Sequence, residues 1–273
     1  AIASNFSQTL RLAKERFRQS KDVVIKTNKG HSGLGVLIYH QPASQQSSQD
    51  EATLPLITTL RQNRYWQLFP TVVEEFIPTD LKVAGGCPDL EFKIDAAGRL
   101  QYLYFCGMRV NRQGIFQGLE INQRLLNQQQ RQKLLRFGRQ LGRIFAQAGY
   151  RGYFDLDFIS GQNGQFFLSE SNVRRTGGTH VYHLARKIYG RNFMRQAYIL
   201  AVNIYPLKNP VIQNFQQLQQ QLQTILWQPQ QKEGVIIASA NLLQKAALAY
   251  VVLGQSKARS LAYEKQLKQL LTY

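Results

Sequence analysis

Around one predicted turn the chain gathers Asp157, Glu170, Asn172 and Arg174, the residue types from which a hard-cation and anion site is built. Phe154, Leu156 and Phe158 alternate with other residues, Gly161, Asn163 and Gly164 interrupt, and Phe166, Phe167 and Leu168 resume, which predicts a β-hairpin. Asp157 falls on its first strand and Glu170 and Asn172 at the end of its second, so three oxygen donors converge across the pair. Donors of that kind suit Mg²⁺ held together with substrate phosphates. If the strand continues, Arg174 points the same way as Glu170 and Asn172, and its guanidinium can hold a planar carboxylate through two parallel hydrogen bonds. Arg175, Gly177, Gly178 and Thr179 follow as a loop of cationic and backbone N–H donors. For any single acid here the plain alternative is a solvated hairpin side chain.

A second stretch of interest lies near the start. Val23-Val24-Ile25 reads as a buried strand ending in Lys26, and Gly30, Ser32, Gly33 and Gly35 follow before Val36 to Tyr39 resume the extended pattern. Glycines accept φ > 0 and let backbone N–H groups approach an anion, so such a loop can cradle phosphates. An ordinary Gly-rich turn is the alternative. The loop is not a Walker loop, because Gly-Lys-Ser/Thr is missing and no helix follows, nor is it the dinucleotide fingerprint, whose last glycine opens a helix.

With Asp157 thirteen residues before Glu170-x-Asn172-x-Arg174 and a Gly-rich loop behind, the sequence resembles the ATP-grasp superfamily. The continuation Arg174-Arg175-Thr-Gly-Gly-Thr-His180 looks most like the peptide ligases of the pheganomycin type, whose ATP-grasp core follows a separate domain. The resemblance implies an α+β ATP-grasp fold of two lobes with nucleotide between them. It also implies ATP and Mg²⁺ as cofactors, with metal on Asp157, Glu170 and Asn172, and a carboxyl substrate facing Arg174. Arg175, Gly177, Gly178 and Thr179 would lie about that substrate. Lys26 would meet the α- and β-phosphates while the loop of Gly30, Ser32, Gly33 and Gly35 closes over the triphosphate. The segment from Thr71 to Pro78 resembles the hinge, where Glu74, Glu75, Phe76 and Ile77 would meet the adenine and Asp80 the ribose, a turn role being the alternative for Asp80. Glu91 and Arg109 are implied contributors to an acyl-phosphate step. The implied reaction joins a small-molecule or peptide carboxylate to an amine, releasing ADP and phosphate; a catalytically inactive interaction module is the variant of this reading.

The chain also departs from the pattern. Only one helix precedes the Lys26 strand, an earlier phosphate lysine is not evident, and Asp155 stands where some relatives carry a basic residue. A small lobe incomplete at its N-terminus is therefore expected, with a missing N-terminal domain or a partner chain.

The balance of 34 Lys+Arg against 16 Asp+Glu gives +18, which raises nucleic-acid binding as a second reading. The basic residues are spread along the chain, however, and no RNA- or DNA-binding motif is visible. The charge reads instead as a field that attracts anions in general. At 44% apolar residues the chain is globular. No apolar run approaches bilayer length and no signal-peptide pattern opens the chain, so a cytoplasmic protein without membrane contact is expected. Cys87 and Cys106 have no metal spacing and read as buried or half-buried thiols.

Elements to position these residues follow from periodicity. Helices are predicted over 4–19, 51–63, 127–148 and 179–203, the third with an apolar stripe of Leu134, Phe137, Leu141, Ile144, Phe145 and Ala148. Extended stretches are predicted near 80–85, 89–95 and 100–110, residues 40–50 as a mobile insertion, and the Gln-rich 211–232 as a polar helix or linker. The tail reads as strand, strand, helix. The expected domains are a small lobe 1–70, a large lobe 71–205 and a C-terminal unit 206–273 packed on it.

Overall fold

The computed structural model describes residues 1–19, 21–31, 34–40, 49–111, 113–207 and 214–272. The chain divides into two compact units, Ala1–Pro78 with Val110–Phe116, and Thr79–Arg109 with Gln117–Tyr273. The expected boundary at residue 70 thus moves to 78, because the strand that begins at Thr71 pairs within the first sheet. The expected unit 206–273 does not separate, because its strands extend the second sheet.

The first unit holds β1 (Ile2–Ala3), α1 (Phe6–Phe17), β2 (Val23–His31), β3 (Leu34–Tyr39), α2 (Gln49–Gln62) and β4 (Thr71–Glu75). Its antiparallel sheet runs β1-β4-β2-β3. Asn5 caps α1 by accepting a hydrogen bond from the Gln8 N–H. Ala13 and Phe17 of α1 and Leu56 and Leu60 of α2 pack on Val23, Ile25 and Val73. Because strand side chains alternate, Val24, Lys26 and Glu74 point away from that core, and the register places Val24 opposite Glu74.

The second unit contains β5 (Pro88–Ile94), β6 (Leu100–Val110), β7 (Phe116–Ile121), α3 (Gln128–Gln147), β8 (Gly152–Ser160), β9 (Phe166–Asn172), α4 (Thr179–Tyr189), α5 (Phe193–Gln196), β10 (Tyr198–Pro206), α6 (Phe215–Leu222), β11 (Gly234–Ser239), β12 (Ala247–Gly254) and α7 (Lys257–Leu270). Its eight-stranded sheet runs β11-β12-β10-β7-β6-β5-β8-β9. One core lies where Leu134 of α3 meets Leu90, Phe92, Phe154, Leu156 and Phe158. The other packs Leu218 and Leu222 of α6 and Leu267 of α7 on Leu200, Tyr250 and Val252. Each such fully buried side chain contributes about 1.5–3 kcal/mol. Among the described residues no helix is long and apolar enough to cross a membrane.

Three local expectations need correction. Residues 198–206 form β10 rather than the end of a helix: Tyr198 to Val202 are buried and hydrogen-bonded between β7 and β12, and a short apolar run does not reveal its own period. Residues 80–85 form a turn rather than a strand, with Asp80 accepting a hydrogen bond from the Lys82 N–H at 3.0 Å. In α3 the innermost line is Leu134, Gly138 and Gly142, while Phe137 and Ile144 are exposed. A Cβ on Gly138 would lie 2.0 Å from the Phe92 ring, and one on Gly142 2.7 Å from Leu100. These two glycines let α3 lie directly on the sheet. The expected insertion at 40–50 lies mostly outside the described residues.

Candidate active site

Strand register builds the site. Asp89 and Glu91 of β5 alternate to one face, as do Asp155 and Asp157 of β8 and Glu170 and Asn172 of β9. Pairing aligns them into two rows, Cys106-Asp89-Asp157-Glu170 and Tyr104-Glu91-Asp155-Asn172. The opposite face of the same strands carries Leu90, Phe92, Phe154 and Leu156 and faces the core beneath α3.

Asp89, Asp155 and Asp157 each contribute a carboxylate oxygen to a group in which the atoms lie within 4.8 Å of one another. All three are buried, as is Glu91. The Cys106 thiol donates to Asp89 Oδ2 at 3.1 Å, and Asn172 Nδ2 donates to Asp157 Oδ2 at 3.1 Å. Among the described residues, Asp89 Oδ1 and Asp157 Oδ1 are buried without a hydrogen-bond partner. Buried polar atoms ordinarily find one. Burial first, and then the charges of neighbouring acids, push Asp89 and Asp157 well above the usual carboxylate range. Burial pushes Asp155 up to about 7, against hydrogen bonding from Asn172. Burial and Asp157 likewise raise the Cys87 thiol to about 11. Like charges this close in a dry setting repel unless a cation or a proton neutralises them.

The sequence-predicted residues fall out as follows. Asp157, Glu170 and Asn172 share the face, with Glu170 exposed at its edge. Arg174 lies past the end of β9, its N–H bonded to Asn172 O, but its guanidinium still reaches back to Asn172 Oδ1 at 3.0 Å. Glu91 lies among the acids with its carboxylate occupied by three hydroxyls: Tyr104 at 2.9 Å, Thr176 at 2.9 Å and Thr179 at 2.6 Å. It ties the 176–179 loop to the sheet. Gly178 sits so near that a Cβ there would be 2.0 Å from the Tyr104 hydroxyl, and Gly177 precedes it in the same loop. Arg175 turns to the Tyr153 ring, its guanidinium 5.2 Å from the centroid.

Arg109 does not join this group. Its guanidinium makes a two-pronged ion pair with Glu264 of α7 at 2.6 and 3.0 Å, because a buried carboxylate there requires a cation. Asp80 serves its own turn and gives its N–H to Ser160 O. In the first unit Lys26 Nζ lies 2.7 Å from Glu74 Oε2. Glu75 points to the other face, where it meets Lys21 at 2.8 Å. The Phe76 N–H is bonded to Asp22 O at 2.9 Å, and Ile77 follows it beyond the end of β4. Gly30 lies in β2 and Gly35, at φ 94°, in β3, while Ser32 and Gly33 lie outside the described residues.

Sequence reading does not assign Asp89, Cys106, Tyr104 or Thr176 to the site, and Asp155 reads there only as a departure from the family pattern. The usable signal was the Asp89-x-Glu91 and Asp155-x-Asp157 spacing, since residues two apart on a strand share a face.

No protein-family model matches the sequence, and no curated protein matches it. Solved structures do match, and they define the fold as that of the ATP-grasp enzymes, mixed α and β with antiparallel sheets. An N5-carboxyaminoimidazole ribonucleotide synthetase solved with ADP matches at a TM-score of 0.66 and 14% identity over 98% of this chain and 65% of its own. The corresponding synthase from Aspergillus clavatus, solved with ATP, matches at 0.65 and 13%, over 99% of this chain and 68% of its own. Biotin carboxylase from Campylobacter jejuni, solved as a β-γ-ATP complex, gives 0.60 and 12%, covering 95% of this chain and 62% of its own. The chain thus spans about two thirds of the length of these enzymes.

Proposed function

We propose that this chain is an ATP-dependent, ADP-forming carboxylate–amine ligase, with a peptide or amino acid among its substrates. The observation that carries the reading is the buried group of Asp89, Asp155 and Asp157 with two orphaned oxygens, on a fold whose solved examples hold ADP or ATP. An all-oxygen donor set suits Mg²⁺, and the orphaned Asp89 Oδ1 and Asp157 Oδ1 are the atoms a cation would satisfy. Asp157 and Asp89 would hold it, with Asp155, Glu170 and Asn172 within the same two rows. When bound, the ion supplies charge neutralisation to the nucleotide phosphates.

In the proposed reaction a carboxylate oxygen attacks the γ-phosphorus, the bond from that phosphorus to the β–γ bridging oxygen breaks, and ADP departs. The amine nitrogen then attacks the acyl carbon, the carbon–oxygen bond to phosphate breaks, and the amine loses its proton to solvent as the amide forms. Arg174 would orient the carboxylate and spread the developing charge. Lys26 would hold phosphate oxygens, exchanging its contact with Glu74 for them. Glu74 to Ile77 would offer backbone groups to the base. Glu91 acts by fixing the Thr176–Thr179 loop.

Calorimetry with ADP in the presence and absence of Mg²⁺ tests the first half of this proposal. Binding that requires Mg²⁺ and is lost in Asp157→Asn is expected, and a folded chain that takes up neither ADP nor an ATP analogue would end the ligase reading. ADP release from ATP with a pool of amino acids and short peptides, followed by mass spectrometry of the products, tests the second half. Asp157→Asn should lower turnover by about 10²-fold or more, the scale set by the loss of one preorganised charge contact.

A further inference from the structure

Beyond the two acid rows the sheet carries a third, in which Lys93 of β5 stands opposite Tyr153 of β8 on the same face. Lys93 Nζ lies 5.3 Å from the Tyr153 ring centroid and the Arg175 guanidinium 5.2 Å from it. The Tyr153 hydroxyl is held at 3.1 Å from His183 Nε2 of α4. Among the described residues neither Lys93 nor Arg175 has a carboxylate within ion-pair distance. Two like charges gathered about one ring repel each other, and a bound anion relieves that repulsion.

We infer that Lys93, Tyr153 and Arg175 seat a second, non-reacting carboxylate of the substrate. This deepens the ligase reading and rests on it. Lys93, half-buried, and Arg175, exposed, are long side chains able to turn to an anion beside the ring, while Tyr153 supplies a flat wall fixed by His183. Spacing sets the size of the substrate. At about 3.3 Å per strand residue, this row lies roughly 7 Å from the Glu91–Asp155 row and roughly 13 Å from the Asp89–Asp157 row. A chain of about two to four extended residues spans that interval. The substrate class is then a short peptide of about two to four residues, whose reacting group lies at the acid rows and whose free C-terminal carboxylate lies at Lys93 and Arg175.

Triglycine and its C-terminal amide are suitable probes, followed by NMR of the tyrosine ring signals, with Tyr153 assigned from Tyr153→Phe. Triglycine should shift the Tyr153 signals, and the amide should bind about tenfold or more weakly, the scale of one lost charge-assisted hydrogen bond. Lys93→Gln and Arg175→Gln should each weaken triglycine binding by a similar factor. Equal affinity for the two probes, unchanged affinity in both variants, or no response at Tyr153 up to millimolar peptide would overturn the inference. Calorimetry with Mg-ADP on the same samples separates the two proposals. Nucleotide binding with a silent Tyr153 removes only the carboxylate seat, while a Tyr153 response without nucleotide binding leaves the seat and removes the ligase.

Discussion

Gly178 shows how closely single residues are placed around the acids. It lies against the Tyr104 hydroxyl, which donates to Glu91, and Glu91 in turn accepts from Thr176 and Thr179. Gly178→Ala brings a methyl into that hydroxyl. The variant should lose about 1–3 kcal/mol of stability, the usual cost of overpacking, and turnover in the proposed ligation should fall by about 10²-fold, since displacement near 1 Å at a reacting group can cost that much. Tyr104→Phe removes the clashing oxygen, so the double variant should regain much of the melting temperature lost by the single one. Thermal melts of all four proteins check this, and additive losses would place the steric problem elsewhere. From sequence alone, Asp157, Glu170, Asn172, Arg174 and the 177–179 loop were legible because they are contiguous with one hairpin. Asp89, Cys106 and Tyr104 were not, because they arrive from β5 and β6, more than fifty residues upstream of Glu170, through strand register. Register is fixed by tertiary pairing and leaves little local trace.

At the scale of elements, the helices with long apolar stripes and the strands bounded by turns were readable, and the failures share a cause. Gly138 and Gly142 mark where α3 touches the sheet, yet a periodicity count weighs bulky residues and passes over glycine. The run at 198–202 is buried on both sides, so it offers no alternation from which a strand could be told. Arg109, which the family resemblance implies as a contributor to the acyl-phosphate step, pairs with Glu264 of α7, 155 positions away. That pair carries a pH dependence of defined sign. Burial alone would raise the Glu264 carboxyl, but Arg109, helped by Lys268 and Tyr250, outweighs it and holds the group below its ordinary range. A carboxyl depressed in the folded state stabilises above its unfolded pKa, near 4.3, and that contribution is lost as pH falls through the folded value. Glu264→Gln should lower the melting temperature at neutral pH, through a loss at or below the lower end of the roughly 3–5 kcal/mol typical of a broken buried pair, because the Arg109 side chain is 30% exposed. It should also flatten the acid side of a plot of melting temperature against pH. An unchanged acid limb would assign the acid sensitivity to other carboxyls.

For the whole molecule the open question is what a charge of +18 serves. Much of it is dispersed, but α3 concentrates some on one helix: Lys133, Arg136, Arg139 and Arg143 are exposed there, and the helix contains no acid. Such a ridge attracts any polyanion, and the attraction weakens steeply with salt because it works by releasing counterions. The acid rows demand something else, a compact ligand able to satisfy buried oxygens at one place. The two demands lie on different surfaces of the second unit, since the acids and α3 occupy opposite faces of β5 and β8. They should therefore be separable by mutation. Reversing Lys133, Arg136, Arg139 and Arg143 to Glu should abolish whatever duplex binding is seen at low salt while leaving Mg-ADP affinity unchanged, and Asp157→Asn should do the reverse. At an ionic strength of about 0.15 M the parent should bind a generic duplex no more tightly than about 1 μM, within the ordinary range of non-specific binding. Fluorescence anisotropy with a labelled duplex across a salt series measures this. Binding well below micromolar at that salt, lost in the α3 variant, would make nucleic acid the ligand that this charge is there to hold.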